Sequence, residues 1–116
     1  MATPIRIQSR LEGADTAVLS LAGEIDVANV AQVRSAAVEL LERGATSLIV
    51  DLSAIEYIDS SGMGMLVGLK KRLADSNGNI TIVGVGGRVK RVFEVTGLER
   101  IFTLSGSVEA ALKEVQ

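Results

Sequence analysis

Neither cysteine nor histidine occurs in the 116 residues. Without cysteine, disulfides and thiolate metal sites are excluded. Without histidine, Ser-His-Asp triads, imidazole acid–base catalysis and histidine metal ligands fall away together. Aromatic residues are scarce, at 3%, so a core has to be assembled from Val, Ile, Leu and Ala within a hydrophobic content of 47%. Positive charge is not in surplus either. The net charge of −2 is the wrong sign for a general nucleic-acid binder, which is normally basic. No uncharged run approaches the ~20 residues of a membrane-spanning helix. The opening MATPIRIQSR has no apolar core of signal-peptide length. A soluble cytoplasmic protein is therefore expected, with one domain over 1–116 and neither membrane nor direct nucleic-acid contact.

What is present is organised around Thr46 to Ser76. Leu48-Ile49-Val50 is an unbroken apolar run, the mark of a strand buried on both faces. After Asp51 the chain passes through Leu52 to Ile58 and turns on Asp59-Ser60-Ser61-Gly62. A segment with helical spacing, Leu66, Leu69 and Leu73, follows. Asp and Ser suit such a turn, because their oxygens accept the free N–H groups of a helix start. Gly62, Gly64 and Gly68 fall in the first two turns, at about 0.8–1 kcal/mol each relative to alanine. Two readings account for them: close packing on the sheet, or a partner that must approach the backbone along Ser61, Gly64 and Gly68.

In chain order, Ile5 to Gln8 alternates as a half-buried strand does, and 12–15 is a turn. Thr16 to Leu21 forms a second strand of an antiparallel hairpin. Asp26 is a candidate N-cap for a helix with the stripe Val30, Val33, Ala37, Leu40 and Leu41, ending at Gly44. Beyond the glycine-rich helix, Ile80 to Val83 is a strand. Gly86-Gly87 opens a helix with Val89, Val92 and Phe93 inward and Arg88, Lys90 and Arg91 outward, closed near Gly97. Ile101 to Leu104 is a short extended piece, and Ser107 can cap a last helix through Val115. The expected fold is α/β: a small mixed sheet in the order β-β-α-β-α-β-α-(β)-α, with Leu48–Leu52 central and helices near 27–43, 60–75, 88–96 and 108–115.

Several chemical signatures begin and then fail. Gly84-Val85-Gly86 and Gly62-Met63-Gly64 open like dinucleotide fingerprints, but Val89 and Val67 stand where the third glycine belongs. Neither cluster supplies a P-loop. A G-x-S-x-G elbow would need glycine at Ile58, and no base exists to activate a serine. Glu24, Asp26, Asp51 and Asp59 could line one sheet edge and hold Mg²⁺ as in a phospho-aspartate receiver. The first strand, however, ends without the acidic pair that fold needs, so caps and loop acids are the favoured reading. Lys70, Lys71 and Arg72 with Arg88, Lys90 and Arg91 form a basic cluster without interleaved aromatics: the wet face of two helices, or the margin of a partner site. No enzyme, no cofactor and no metal is expected.

Four stretches together resemble a known family: Gly23-Glu24-Ile25-Asp26, Leu48 to Leu52, Tyr57 to Gly64 and Val89 to Leu98. In their order and spacing the chain resembles a STAS domain, specifically a free-standing bacterial anti-sigma factor antagonist. The departure is methionine at Met63 and Met65, where aliphatic residues are common in the family, and methionine is a tolerant substitute. The resemblance implies a partner switch. The first serine of the turn, Ser60 here, would be phosphorylated by an anti-sigma factor that is itself a serine kinase. The unphosphorylated form would bind that kinase and free the sigma factor, and a PP2C-type serine phosphatase would reset it. Asp26, Asp59, Ser61, Gly62, Met63, Gly64 and Gly68 match the partner-binding region, and the free protein is expected to be a monomer. The alternative is a STAS module that does not switch, a scaffold or transport-assembly subunit.

Overall fold

A computed structural model describes residues 4–115. Strand β1 (Arg6–Glu12) turns back through Gly13 into β2 (Thr16–Ile25), and Glu12 pairs with Thr16 across the hairpin. Helix α1 (Val30–Glu42) crosses to β3 (Ser47–Ile58), and α2 (Ser60–Asp75) crosses to β4 (Asn79–Val83). Helices α3 (Gly87–Thr96) and α4 (Leu98–Ile101) lead to β5 (Thr103–Ser105), and α5 (Val108–Val115) closes the chain. The strands lie in sequence order, antiparallel between β1 and β2 and parallel from β2 to β5. The mixed sheet and the element order are as expected, with β3 central.

Burial on both faces of β3 explains its apolar run. Leu48 and Val50 enter the main core with Val33, Ala37 and Leu40 of α1 and Leu66, Leu69 and Leu73 of α2. Ile49 points the other way, joining Val18, Val83 and Ala111 beneath α5. Val89 and Phe93 bring α3 onto the main-core face, where the Phe93 and Phe102 rings meet at 6.4 Å. So α1, α2 and α3 share one face, and α5 covers part of the other.

Several boundaries differ from the sequence reading; Ile101, expected in an extended piece, lies in α4, and β5 begins at Thr103. Strand β2 runs on to Ile25 instead of stopping at Leu21, because Gly23-Glu24-Ile25 keeps pairing with β3. Strand β3 continues past Asp51 to Ile58, with register shifts against β2 between Ser20 and Ala22 and between Gly23 and Glu24. Such shifts bend a strand without ending its ladder. Helix α1 starts at Val30, not near residue 27, and Asp26 is not its cap. A one-turn helix, α4, is an addition to the expected elements. It follows directly from Gly97, whose left-handed φ of 79° ends α3. The Ser107 cap is present: its Oγ accepts the Ala110 N–H at 3.1 Å.

The α2 glycines divide into two kinds. A Cβ on Gly62 would lie 2.6 Å from Ile58 Cγ1 and 2.8 Å from Ile25 Cγ2. Gly62 is therefore buried on the sheet side and lets α2 close onto β2 and β3. Ala at this position should overpack a core that cannot yield. Gly62→Ala is expected to destabilise the fold by about 1–3 kcal/mol in chemical denaturation. Gly64 and Gly68 meet nothing within 4 Å of an added Cβ, so sheet packing does not account for them.

Candidate functional site

In a parallel sheet the loops that follow the strands gather along one edge. Here the loop after β2, the β3–α2 junction and α3 converge there. Asp59 fastens this end. Its backbone N–H donates to the Ile25 carbonyl at 3.1 Å. Its Oδ1 accepts the Gly62 N–H at 3.1 Å, capping α2, and its Oδ2 accepts the Val27 N–H at 3.2 Å. One carboxylate thus sets the helix start and ties it to the neighbouring loop.

Asp26 stabilises the loop instead of capping a helix. Its Oδ1 accepts the Ala28 N–H at 2.9 Å, and its carbonyl accepts the Val30 N–H at 2.9 Å. Asn29 completes the turn, accepting the Asp26 N–H through Oδ1 and donating from Nδ2 to the Glu24 carbonyl at 2.8 Å. Asp51 likewise accepts from both the N–H and the hydroxyl of Ser53, at 2.9 and 2.7 Å. These acids bond to nearby N–H and O–H donors, and among the described residues no group of three metal-ligating side chains comes together.

Because Asp59 does the capping, Ser60 is the first helical residue. It is exposed, while Ser61 is half-buried. Among the described residues no hydrogen bond engages the Ser60 hydroxyl. Met63 is half-buried beside it, and Gly64 and Gly68 are exposed further along α2. Asp26, Asp59, Ser61, Met63 and Gly64 therefore gather around Ser60, Gly68 extends the same helix away from it, and Gly62 lies underneath.

A groove of about 520 Å³ opens between this turn and α3. Tyr57, Ile58, Asp59, Ser60 and Met63 line one side, and Arg88, Arg91, Val92, Val95 and Thr96 line the other. Val95 is 77% exposed, Tyr57 43%, and Val27 on the adjoining loop 76%. Exposed apolar side chains thus border a polar turn at this end of the sheet. Val27, Tyr57 and Val95 were not among the site residues expected from the sequence. One signal was available: Val95 falls off the buried α3 stripe of Val89 and Phe93, so the fold gives it nothing to cover.

Removing the Asp59 carboxylate should loosen both the helix start and the loop. Asp59→Ala is expected to cost about 1–2 kcal/mol in thermal or chemical unfolding. Asp59→Asn should cost less, because asparagine caps about as well.

A model of the STAS domain matches residues 8–111. This chain belongs to the STAS domain family. The anti-sigma-B factor antagonist of Staphylococcus epidermidis is 32% identical over 91 residues, covering 78% of this chain and 84% of that protein. An anti-sigma factor antagonist from Mycobacterium paratuberculosis has a similar structure, with a TM-score of 0.86 and 26% identity over 99% of this chain and 98% of its own. The anti-sigma factor antagonist SpoIIAA in its unphosphorylated form is similar too, with a TM-score of 0.83 and 26% identity over 95% of this chain and 96% of its own. These relatives are named as antagonists, proteins that act by binding. Three of the four stretches that carried the STAS resemblance, 23–26, 57–64 and 89–98, meet at the Ser60 end of the sheet.

Proposed function

We propose that this chain is a single-domain anti-sigma factor antagonist switched by phosphorylation of Ser60. In the unphosphorylated state it binds an anti-sigma factor serine kinase in the cytoplasm and so frees the sigma factor. The kinase modifies Ser60, and a PP2C-type phosphatase restores it. The observation that carries this reading is the position of Ser60: exposed, first in α2, and spared from capping by Asp59. Its hydroxyl has no structural bond to lose. A phosphate there would meet free N–H groups and the positive end of the helix, so the fold tolerates it. The likeness to SpoIIAA, itself known in an unphosphorylated form, supports a phosphorylation-dependent role.

The partner surface is the rim of this turn, Asp26, Val27, Asp59, Ser60, Ser61 and Met63, continuing over Gly64 and Gly68. A docked partner would meet close to two new negative charges beside Asp59 once Ser60 is modified. Adding the unphosphorylated protein to a preformed complex of the anti-sigma factor and its sigma factor tests the assignment. On gel filtration the antagonist should co-elute with the anti-sigma factor, and free sigma factor should appear. An undisturbed complex at excess antagonist contradicts the assignment.

A further inference from the structure

Arg88 and Arg91 face Ser60 across the groove, and the switch described so far gives them no role. They lie one turn apart on α3, on the side that carries Val92, Val95 and Thr96, and both are exposed and line the groove wall. Among the described residues the ion pair formed is Arg10 with Glu12, so neither guanidinium is neutralised by a neighbouring acid. Asp59 on the opposite wall forms no ion pair with either of them, and its oxygens accept the N–H groups of Gly62 and Val27. The groove therefore has two unpaired planar cations on one wall and a modifiable hydroxyl on the other.

A phosphoserine carries close to two negative charges and three strong acceptor oxygens. The guanidinium fork matches phosphate geometry and binds it through paired N–H donors. We propose that Arg88 and Arg91 hold the phosphate of phosphorylated Ser60 in cis, across the groove. This rests on Ser60 being the modified residue and adds a second consequence of modification. The phosphate then bridges the two walls of the groove as well as charging it. A partner loses an accessible surface along with a favourable potential.

The titrating and charged groups that line the groove are Tyr57 and Asp59 on the serine's side and Arg88 and Arg91 on α3. Asp59 favours the monoanionic phosphate, whereas the two arginines favour the dianion. The balance can be read as the midpoint of the second phosphate ionisation, which lies near 6 for an unpaired phosphoserine. Phosphoserine can be placed at position 60 during synthesis, without any kinase, and followed by phosphorus NMR. The midpoint in the otherwise unaltered protein should lie about half a pH unit or more below that of the Arg88→Gln, Arg91→Gln double variant. Lys90→Gln removes the same kind of charge from α3 outside the groove and should leave the midpoint within a small fraction of that shift. Circular dichroism checks that each variant is folded, as expected for positions outside the core. Equal midpoints in the unaltered and double-variant proteins overturn the proposal, as does a Lys90→Gln shift as large as that of the double variant. Because the phosphoserine is installed directly, this outcome is independent of which residue a kinase modifies. Failure of the Ser60 assignment would instead appear as enzymatic phosphate on another residue.

Discussion

Ser60→Asp is expected to fold like the unaltered protein and bind the anti-sigma factor at least about a hundredfold more weakly. Like charges brought together in an interface cost several kcal/mol, and about 1.4 kcal/mol is tenfold in affinity. The aspartate joins Asp59 at the start of α2, where a helix N-terminus tolerates it in the free protein. The penalty therefore falls on the complex and not on the fold. Full phosphorylation should weaken binding further, since aspartate carries one charge and fewer acceptor oxygens. Ser60→Ala should bind within a few-fold of the unaltered protein. It deletes an exposed hydroxyl while the Asp59 cap remains. Titration calorimetry measures both affinities. Tight binding by Ser60→Asp, or loss of binding by Ser60→Ala, would place the switch elsewhere.

The second large effect concerns Gly64 and Gly68. Glycine inside a helix costs about 0.8–1 kcal/mol relative to alanine, and leucine is nearly as good a helix former as alanine. Neither position has an atom within 4 Å of an added Cβ. Gly64→Leu and Gly68→Leu should therefore leave the melting temperature unchanged or raise it by a few degrees. If these glycines admit a partner close to the α2 backbone, the same substitutions should weaken binding about tenfold or more. The opposite movement of stability and affinity is the signature. Unfolding of both variants would make the glycines packing devices, and unchanged affinity would remove them from the interface.

The elements legible in the sequence were those whose local pattern and burial agree. The Leu48-Ile49-Val50 run has no polar face, and only a central strand covered on both sides accommodates it. The α2 stripe of Leu66, Leu69 and Leu73 and the stop at Gly97 were equally plain. Less legible were features decided by partners distant in sequence. Gly23-Glu24 looks like a break, yet pairing with β3 carries β2 through it with a shift of register. Asp26 has the chemistry of an N-cap, but Asn29 makes two bonds across the loop and displaces the helix start to Val30. The three early glycines of α2 look alike in the sequence. Only the proximity of Ile25 and Ile58 separates Gly62, which must be small for the sheet, from Gly64 and Gly68, which need not be.

The candidate site divided in a similar way. Ser60, Asp59 and the glycine-rich turn are neighbours along the chain, so the sequence itself declares their association. Arg88, Arg91 and Val95 reach the same groove only because β4 and α3 return to the end of β3 after the whole of α2 has intervened. In the sequence those arginines read as the wet face of a helix or the margin of a partner site, with nothing to tie them to the serine. The fold brings them to the groove that Ser60 also lines.

The central claim is that Ser60, and not its chemically identical neighbour Ser61, carries the switch. Incubation with the cognate anti-sigma factor kinase and ATP, followed by mass-spectrometric mapping of the phosphate, tests this most directly. Exposure at the first position of α2 predicts phosphate on Ser60, with incorporation abolished in Ser60→Ala. Phosphate on Ser61, or undiminished incorporation in Ser60→Ala, would contradict the account.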